Sequence, residues 1–436
     1  MAGRERPVAP CSRDSGAGQA VGPDEPEGRK QGRAAAILEG MDVRSRPFRG
    51  CAFLLSLALS LAACRTTSPE PGIDYGPWVD GPPRYVFLVI GDGMGKSSEV
   101  AASRFLYGAD TGLAWHSAAW AFKAFAATWD VTTYNHHAGQ AGAASYDAAT
   151  FDPELGYDPA QAGAEPWPLG LSSDGAEARA YLLGAATDSA AAATALATGR
   201  KTDAGRIAWS PGSPSSALIA ITMRARYRRG ASFGAVSTVP FNHATPAAFL
   251  AHSQARADYT GIAGEIILGT RPELVIGGGH PGWNTDYAGV YARGLLLSGS
   301  GYLLVERNAG QDGGTALLDG LAGQGPGAGL FGYFGGADGS FEAPFPQDSP
   351  GSPAFTRGSE DPSLATSVTV AARSLARNPR GFVLVIEQGD IDWANHANDF
   401  PRMLGAVHSL DEAVRAIEFF IDLPGDAVDW DNSLVI

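Results

Sequence analysis

The run Arg84–Ile90, RYVFLVI, ends abruptly in Gly91-Asp92-Gly93-Met94-Gly95. Aromatic and β-branched residues in unbroken succession leave no polar face, so a strand of this kind must be covered on both sides. Gly381–Ile386 has the same character, and shorter strand-like runs occur at 232–238 (SFGAVST) and 273–276. Helical stretches lie between them. One is expected from about Ser97 with Glu99 in its first turn, and another, alanine-rich, runs from Ser189 to near Gly199. A third follows Asn242-His243-Ala244-Thr245-Pro246, an amphipathic one covers 402–421, and a last strand begins at 433–436. Strands alternating with helices predict an α/β fold, with a mostly parallel central sheet flanked by helices on both faces. Residues 135–175 read as an irregular excursion, and 308–362, rich in Gly, Pro and Asp, as an irregular inserted region.

Ligands of such sheets bind beyond the carboxyl ends of the strands. The polar residues just after the apolar runs are therefore the candidates for chemistry: Asp92, Ser189, His243, Thr245, and Glu387 with Asp392 and His396. A Ser beside an Asp at the mouth of an alanine helix is ordinarily a cap. A glycine turn after a strand lets backbone approach an ion or a phosphate closely. Asp392 and His396 are four apart and share a face on one helical turn, a good carboxylate–imidazole pair for Zn²⁺. Arg256 follows His252 by what reads as another helical turn and offers a bidentate clamp for phosphate oxygens. Hydroxyl, carboxylates, imidazole and arginine together are the inventory of metal-assisted phosphoryl transfer.

Composition sets outer limits. The chain has 436 residues, 44% hydrophobic and 18% charged, enough for a substantial core. A net charge of −14 argues against a nucleic-acid partner, which calls for a basic surface. Residues 51–63, CAFLLSLALSLAA, follow Arg44, Arg46 and Arg49 and are too short to span a membrane. They fit the apolar part of an export signal over 41–64, and Leu61-Ala62-Ala63-Cys64 resembles a bacterial lipobox, which implies lipidation of Cys64. Residues 1–40 are aperiodic and sit awkwardly before such a signal, so Met41 is the natural start. Residues 65–83 read as a tether and 84–436 as the folded domain. The other cysteines, Cys11 and Cys51, precede Cys64, so the exported chain has no disulfide framework. The expected place is the bacterial cell envelope, on its periplasmic or surface face.

Over 84–436 the chain resembles the alkaline phosphatases. The matching segments are Gly91-Asp92-Gly93-Met94-Gly95, Thr187-Asp188-Ser189-Ala190-Ala191, His243-Ala244-Thr245-Pro246, Arg256, and Glu387 with Asp392 and His396. The resemblance implies the family's three-layer α/β sandwich, with two Zn²⁺ ions and one Mg²⁺. It implies that Ser189 attacks phosphorus to form a phosphoserine, that Asp92 bridges Zn²⁺ and Mg²⁺, and that Asp392 and His396 hold the other zinc. Thr245 and Glu387 complete the Mg²⁺ site, Arg256 clamps two phosphoryl oxygens, and Asp188 orients the arginine. The products are inorganic phosphate and an alcohol, and homodimers are common among relatives.

His243 stands where family members have Asp or His, which implies altered surroundings for the magnesium site. Trp393 stands where some have a cationic contact to phosphate. In the family the strand matching Ser433–Ile436 runs on into a Thr-Ala-Asp-His segment bearing zinc ligands. The resemblance therefore implies that the last strand or strands are missing and that the chain as written has little activity. Two other functions fit parts of the pattern. One is a non-catalytic surface lipoprotein binding phosphate or a partner. The other is a phosphodiesterase or sulfatase relative, although Ser189 is followed by Ala190-Ala191-Ala192 rather than the sulfatase Cys/Ser-x-Pro-x-Arg setting.

Overall fold

A computed structural model describes residues 83–436, except 125, 159–160, 162–180, 182, 185, 213–215, 282–286, 337–338, 342–344, 347–354, 357, 424 and 426. The expected leader, Cys64 and nearly all of the tether lie outside the described residues. Among those described, no helix is long and apolar enough to cross a membrane.

β1 (Tyr85–Gly91) is followed by α1 (Lys96–Tyr107), α2 (Val131–Ala141), α3 (Ser189–Thr198) and α4 (Ile221–Arg229). Then come β2 (Ser232–Pro240), α5 (Ala244–Leu250), α6 (Tyr259–Gly264), β3 (Leu274–Gly278), α7 (Tyr287–Leu297) and β4 (Tyr302–Glu306). α8 (Gly313–Gly323), β5 (Gly329–Tyr333), a small antiparallel pair β6 (Phe345–Pro346) and β7 (Phe355–Thr356), and α9 (Leu364–Leu375) follow. β8 (Phe382–Gln388), α10 (Asp390–Ala397), α11 (Phe400–Ile421) and β9 (Ser433–Val435) complete the chain. Seven strands form one parallel sheet in the order β4-β5-β3-β2-β8-β1-β9.

Alternation along the strands sorts their side chains into two cores. Phe87, Phe382, Leu384 and Ile386 face a layer that includes α1, α8, α9 and α11. Val86, Leu88, Phe233, Val383 and Val385 face the opposite layer, which includes α3, α5 and α7. By the same alternation Glu387 points toward α3 and α5. Both helices turn small residues to the core: Ala190, Ala193 and Ala197 from α3, and Ala244, Ala247 and Ala248 from α5. Alanine lets these helices lie close to the sheet and to each other.

The stretch 308–362, expected to be irregular, contains α8 and the sheet strand β5. Its glycines hid the pattern. Gly320 is there because a Cβ would come within 2.4 Å of the Val305 side chain, and Ala316, Leu317 and Leu321 are buried. Likewise Val131–Ala141 is a helix overlapping the expected excursion at 135–175, capped by the Asp130 carboxylate on Thr133 N–H.

Gly381 opens the interior strand β8 at φ +87°, and a Cβ there would fall 1.9 Å from the Arg84 carbonyl oxygen. Gly381→Ala adds left-handed strain to a backbone overlap. It should lower unfolding free energy by roughly 2–4 kcal/mol in urea titration, well above the effect of a surface substitution.

Candidate active site

Asp92 leaves β1 directly after Gly91, and its N–H donates to the Gln388 carbonyl at 3.2 Å. Gly93 has φ +60°, and a Cβ there would lie 2.4 Å from Asp392 Oδ1. Only glycine allows the turn after β1 to approach α10 this closely. Burial pushes the Asp92 carboxyl pKa up, and the nearby Asp392 charge pushes it further; the Ser189 hydroxyl and Arg256 pull the other way.

Ser189 is the first residue of α3. Its hydroxyl donates to both Asp92 oxygens, at 3.1 and 3.0 Å. The capping role belongs to its neighbour: Asp188 Oδ1 accepts from Ala191 N–H at 3.0 Å. Asp188 Oδ2 accepts from Arg256 Nη1 at 3.0 Å and from Gly205 N–H at 3.1 Å. The serine is therefore released from capping at a helix terminus that carries partial positive charge.

Arg256 is not one helical turn beyond His252. Residues 251–258 are loop, and the His252 ring turns away to Glu265 and to the Leu218 carbonyl. Arg256 is instead placed by its side chain on Asp188 and by its backbone N–H on the Gly205 carbonyl at 2.7 Å.

Glu387 lies in β8 opposite Ile90 of β1 and Ser237 of β2, with no solvent exposure. Burial, then the Asp92 charge, raises its pKa to about 8. Ser237 donates to Oε2, and the Thr245 hydroxyl lies against the carboxyl, yet Oε1 accepts no well-formed hydrogen bond. Thr245 itself is buried in α5. The turn into α10 is fixed by Gln388 Oε1, which accepts from Thr238 at 2.8 Å and from Asp390 N–H at 2.9 Å. Buried Asp390 pairs with Arg402 at 2.8 Å.

On α10, His396 Nε2 lies 3.5 Å from Asp392 Oδ1, and the His396 side chain is 80% exposed. His243 stacks on Tyr259 with an interplanar angle of 9° and meets Trp393 edge-on at 5.9 Å. Burial, followed by the Arg256 charge, lowers its pKa to about 4, and its Nδ1 has no partner. It is a neutral ring at neutral pH.

The structure thus groups Asp92, Ser189, Asp188, Arg256, Thr245, Glu387 and Asp392 at the carboxyl ends of β1, β2 and β8, with His396 at the exposed margin. Three neighbours carried no expectation from sequence: Ser237, Gly205 and Tyr259. A hydroxyl inside the apolar run 232–238 was the available signal for Ser237; the other two gave none.

Among the described residues no group of three or more His, Cys, Asp and Glu side chains is arranged to hold a metal ion. The donors at the floor of the site are two carboxylates and a hydroxyl. Two facing carboxylates, both pushed toward the neutral form, with one oxygen lacking a hydrogen-bond donor, fit a hard divalent cation. Mg²⁺ takes one or two carboxylates and keeps several waters. The Asp392–His396 pair has the mixed oxygen and nitrogen donors suited to Zn²⁺.

A family model described as alkaline phosphatase matches residues 170–274 and 349–427. Alkaline phosphatase 4 of Bacillus subtilis (strain 168) is 30% identical over 239 residues, covering 53% of this chain and 46% of that protein. Alkaline phosphatase H of Pseudomonas aeruginosa (strain UCBPP-PA14) is 32% identical over 276 residues, 56% of each chain. The chain spans about half the length of these curated relatives. The solved alkaline phosphatase of the Antarctic bacterium TAB5 shares its fold, with a TM-score of 0.53 at 18% identity over 81% of this chain and 78% of that one. A variant of that enzyme, with a histidine replaced by aspartate, is described with Mg bound in its M3 site. The parallel sheet between helix layers is the fold of the solved alkaline phosphatases. The family model and the curated relatives all point to the alkaline phosphatase family.

Asp188 has two separable roles, so two substitutions separate them. Asp188→Ala removes the α3 cap and should cost about 1 kcal/mol of stability in chemical denaturation, whereas Asp188→Asn, which keeps the acceptor, should recover most of it.

Proposed function

We propose that this protein hydrolyses phosphate monoesters through a phosphoserine at Ser189. The observation that carries the reading is the placement of the Ser189 hydroxyl. It stands at a helix N-terminus, on Asp92, beside an arginine that Asp188 holds in place.

Ser189 Oγ attacks phosphorus, its proton has an acceptor in Asp92, and the bond from phosphorus to the ester oxygen breaks as the alcohol leaves. Water then attacks the phosphoserine, releasing inorganic phosphate and restoring the hydroxyl. Arg256 spends one nitrogen on Asp188 and turns its remaining donors to the phosphoryl oxygens, whose charge the α3 N-terminus also favours. Asp92, Thr245 and Glu387 would hold Mg²⁺, and Asp392 and His396 would hold a Zn²⁺. Bound divalent cations supply Lewis-acid chemistry, lowering the pKa of an oxygen they hold and neutralising phosphoryl charge. The chain is further proposed to be exported and lipid-anchored through Cys64, on the strength of the Arg-flanked apolar run and Leu61-Ala62-Ala63-Cys64.

The test uses the protein expressed from its own gene. With p-nitrophenyl phosphate, Mg²⁺ and Zn²⁺ at alkaline pH, turnover should appear, and acid quenching should trap phosphate on Ser189. Ser189→Ala should abolish trapping and cut kcat by at least about a thousandfold. Arg256→Ala should raise KM and the inhibition constant for inorganic phosphate by about ten- to a hundredfold, since a charge-assisted contact is lost. Turnover without a trapped phosphoserine would end the mechanism; phosphate binding without turnover would favour the binding lipoprotein.

The cation reading has its own measurement. Mg²⁺ should raise the melting temperature of chelator-treated protein by several degrees, by preferential binding to the native state, about 2.7 kcal/mol at a hundredfold excess over Kd. Glu387→Gln should abolish most of this shift.

A further inference from the structure

Away from the sheet, Trp129, Tyr134 and Ala138 form a small separate core, with Tyr146, Phe151, Leu155 and Tyr157 packed on it. Its rings interlock around Trp129, which meets Phe151 at 5.5 Å and Tyr134 at 5.6 Å. Gly156 lies flat on the indole, where a Cβ would come within 2.3 Å. None of these residues belongs to the active site, and the proposed mechanism uses none of them.

A strap of chain, residues 201–206, connects this satellite to the site. At one end the Lys201 ammonium donates to the Trp129 carbonyl at 2.9 Å and stands 4.3 Å from the Trp129 ring centroid. The Val131 N–H donates to the Thr202 carbonyl at 2.9 Å, and the Ala204 N–H donates to Thr132 Oγ1 at 3.1 Å. Burial pushes the Lys201 ammonium pKa down, and the Asp130 carboxylate, buried as the α2 cap, offsets part of that. At the other end Gly205, at φ +76°, donates its N–H to Asp188 Oδ2 and accepts the Arg256 N–H. One residue of the strap therefore touches both members of the Asp188–Arg256 pair.

We infer that Lys201 and Thr132 are positioning residues: they fasten the strap to the aromatic satellite, and through Gly205 the strap sets Arg256 and Asp188 for an oxyanion ligand. The inference deepens the phosphatase reading and rests on it for the ligand, though the mechanical claim stands on hydrogen bonds alone. Arg256 lies in a loop, where nothing in the local backbone fixes its direction. Two hydrogen bonds from one anchored glycine supply the constraint that a helix would have given.

The experiment compares Lys201→Met, which keeps the stem over the indole, Thr132→Val, which keeps the shape, and Lys201→Arg as the conservative rescue. Amide hydrogen exchange reads the strap directly. In Lys201→Met and Thr132→Val, the Gly205 and Arg256 amides should exchange about tenfold faster, while those of β8 keep the parent rates. The inhibition constant for inorganic phosphate should rise about three- to tenfold with kcat within about twofold, and Lys201→Arg should return both readouts toward the parent. Unchanged exchange at Gly205 and Arg256 would overturn the inference. So would faster exchange throughout β8, which would make Lys201 and Thr132 general stability residues. If the parent itself binds no phosphate, the phosphatase reading falls, and the exchange rates alone decide the strap.

Discussion

Glu387 occupies an interior strand of a parallel sheet, between Ile90 and Ser237 of its neighbours, where water does not reach it. An ionised carboxylate in such a place faces a desolvation cost of several kcal/mol, and Asp92 adds a second one close by. Two hydroxyls, from Ser237 and Thr245, offset part of that cost. They leave Oε1 without a donor. A sheet that only needed stability would place an apolar residue at this point, as it does at Ile386 and Val385. The proposed cation site gives the paired acids a use, and the register of β1 and β8 keeps them near each other.

The opposite wall has the reverse polarity. The N-terminus of α3, the Arg256 guanidinium and its Asp188 partner stand across from the acids, with the Ser189 hydroxyl between. Asp188 keeps these functions apart. By accepting the Ala191 N–H it takes over capping, and by accepting from Arg256 it holds the arginine. A serine that had to cap its own helix would turn its oxygen toward the backbone. Here the oxygen faces Asp92 instead.

Much of this was legible from residue order. The runs at 84–90 and 381–386 correspond to the adjacent strands β1 and β8, and the polar residues that follow them fall at the carboxyl edge, because a parallel sheet has only one such edge. What escaped notice did so for physical reasons. α8 was hidden by glycines that serve close packing against Val305, so its composition resembled a loop. The spacing of His252 and Arg256 suggested a helical face, but tertiary contacts pull them apart: the histidine goes to Glu265 and the arginine to Asp188. Ser237 looked like an ordinary strand residue, since its role exists only through its register with Glu387. Gly205 acts through its backbone alone, and backbone roles leave little trace in side-chain patterns.

Close approach is the common thread of these cases. Gly93 lets the turn after β1 touch α10, and the alanines of α3 and α5 press both helices against the sheet. Small residues bury little surface each, at ~25 cal/mol per Å², so a site built this way gains little hydrophobic stabilisation locally. The large side chains lie elsewhere, in the Phe87–Phe382 contact of one core, the Phe241–Phe331 contact of the other, and the rings around Trp129. Stability and chemistry are therefore held by different residues, and the connections between them are hydrogen bonds: Asp92 N–H to β8, Gln388 to the α10 turn, Gly205 to Asp188 and Arg256. Such bonds are each modest in net energy, about 1 kcal/mol, but they are directional. That directionality lets cores that contribute no group to the site still determine where its polar groups point.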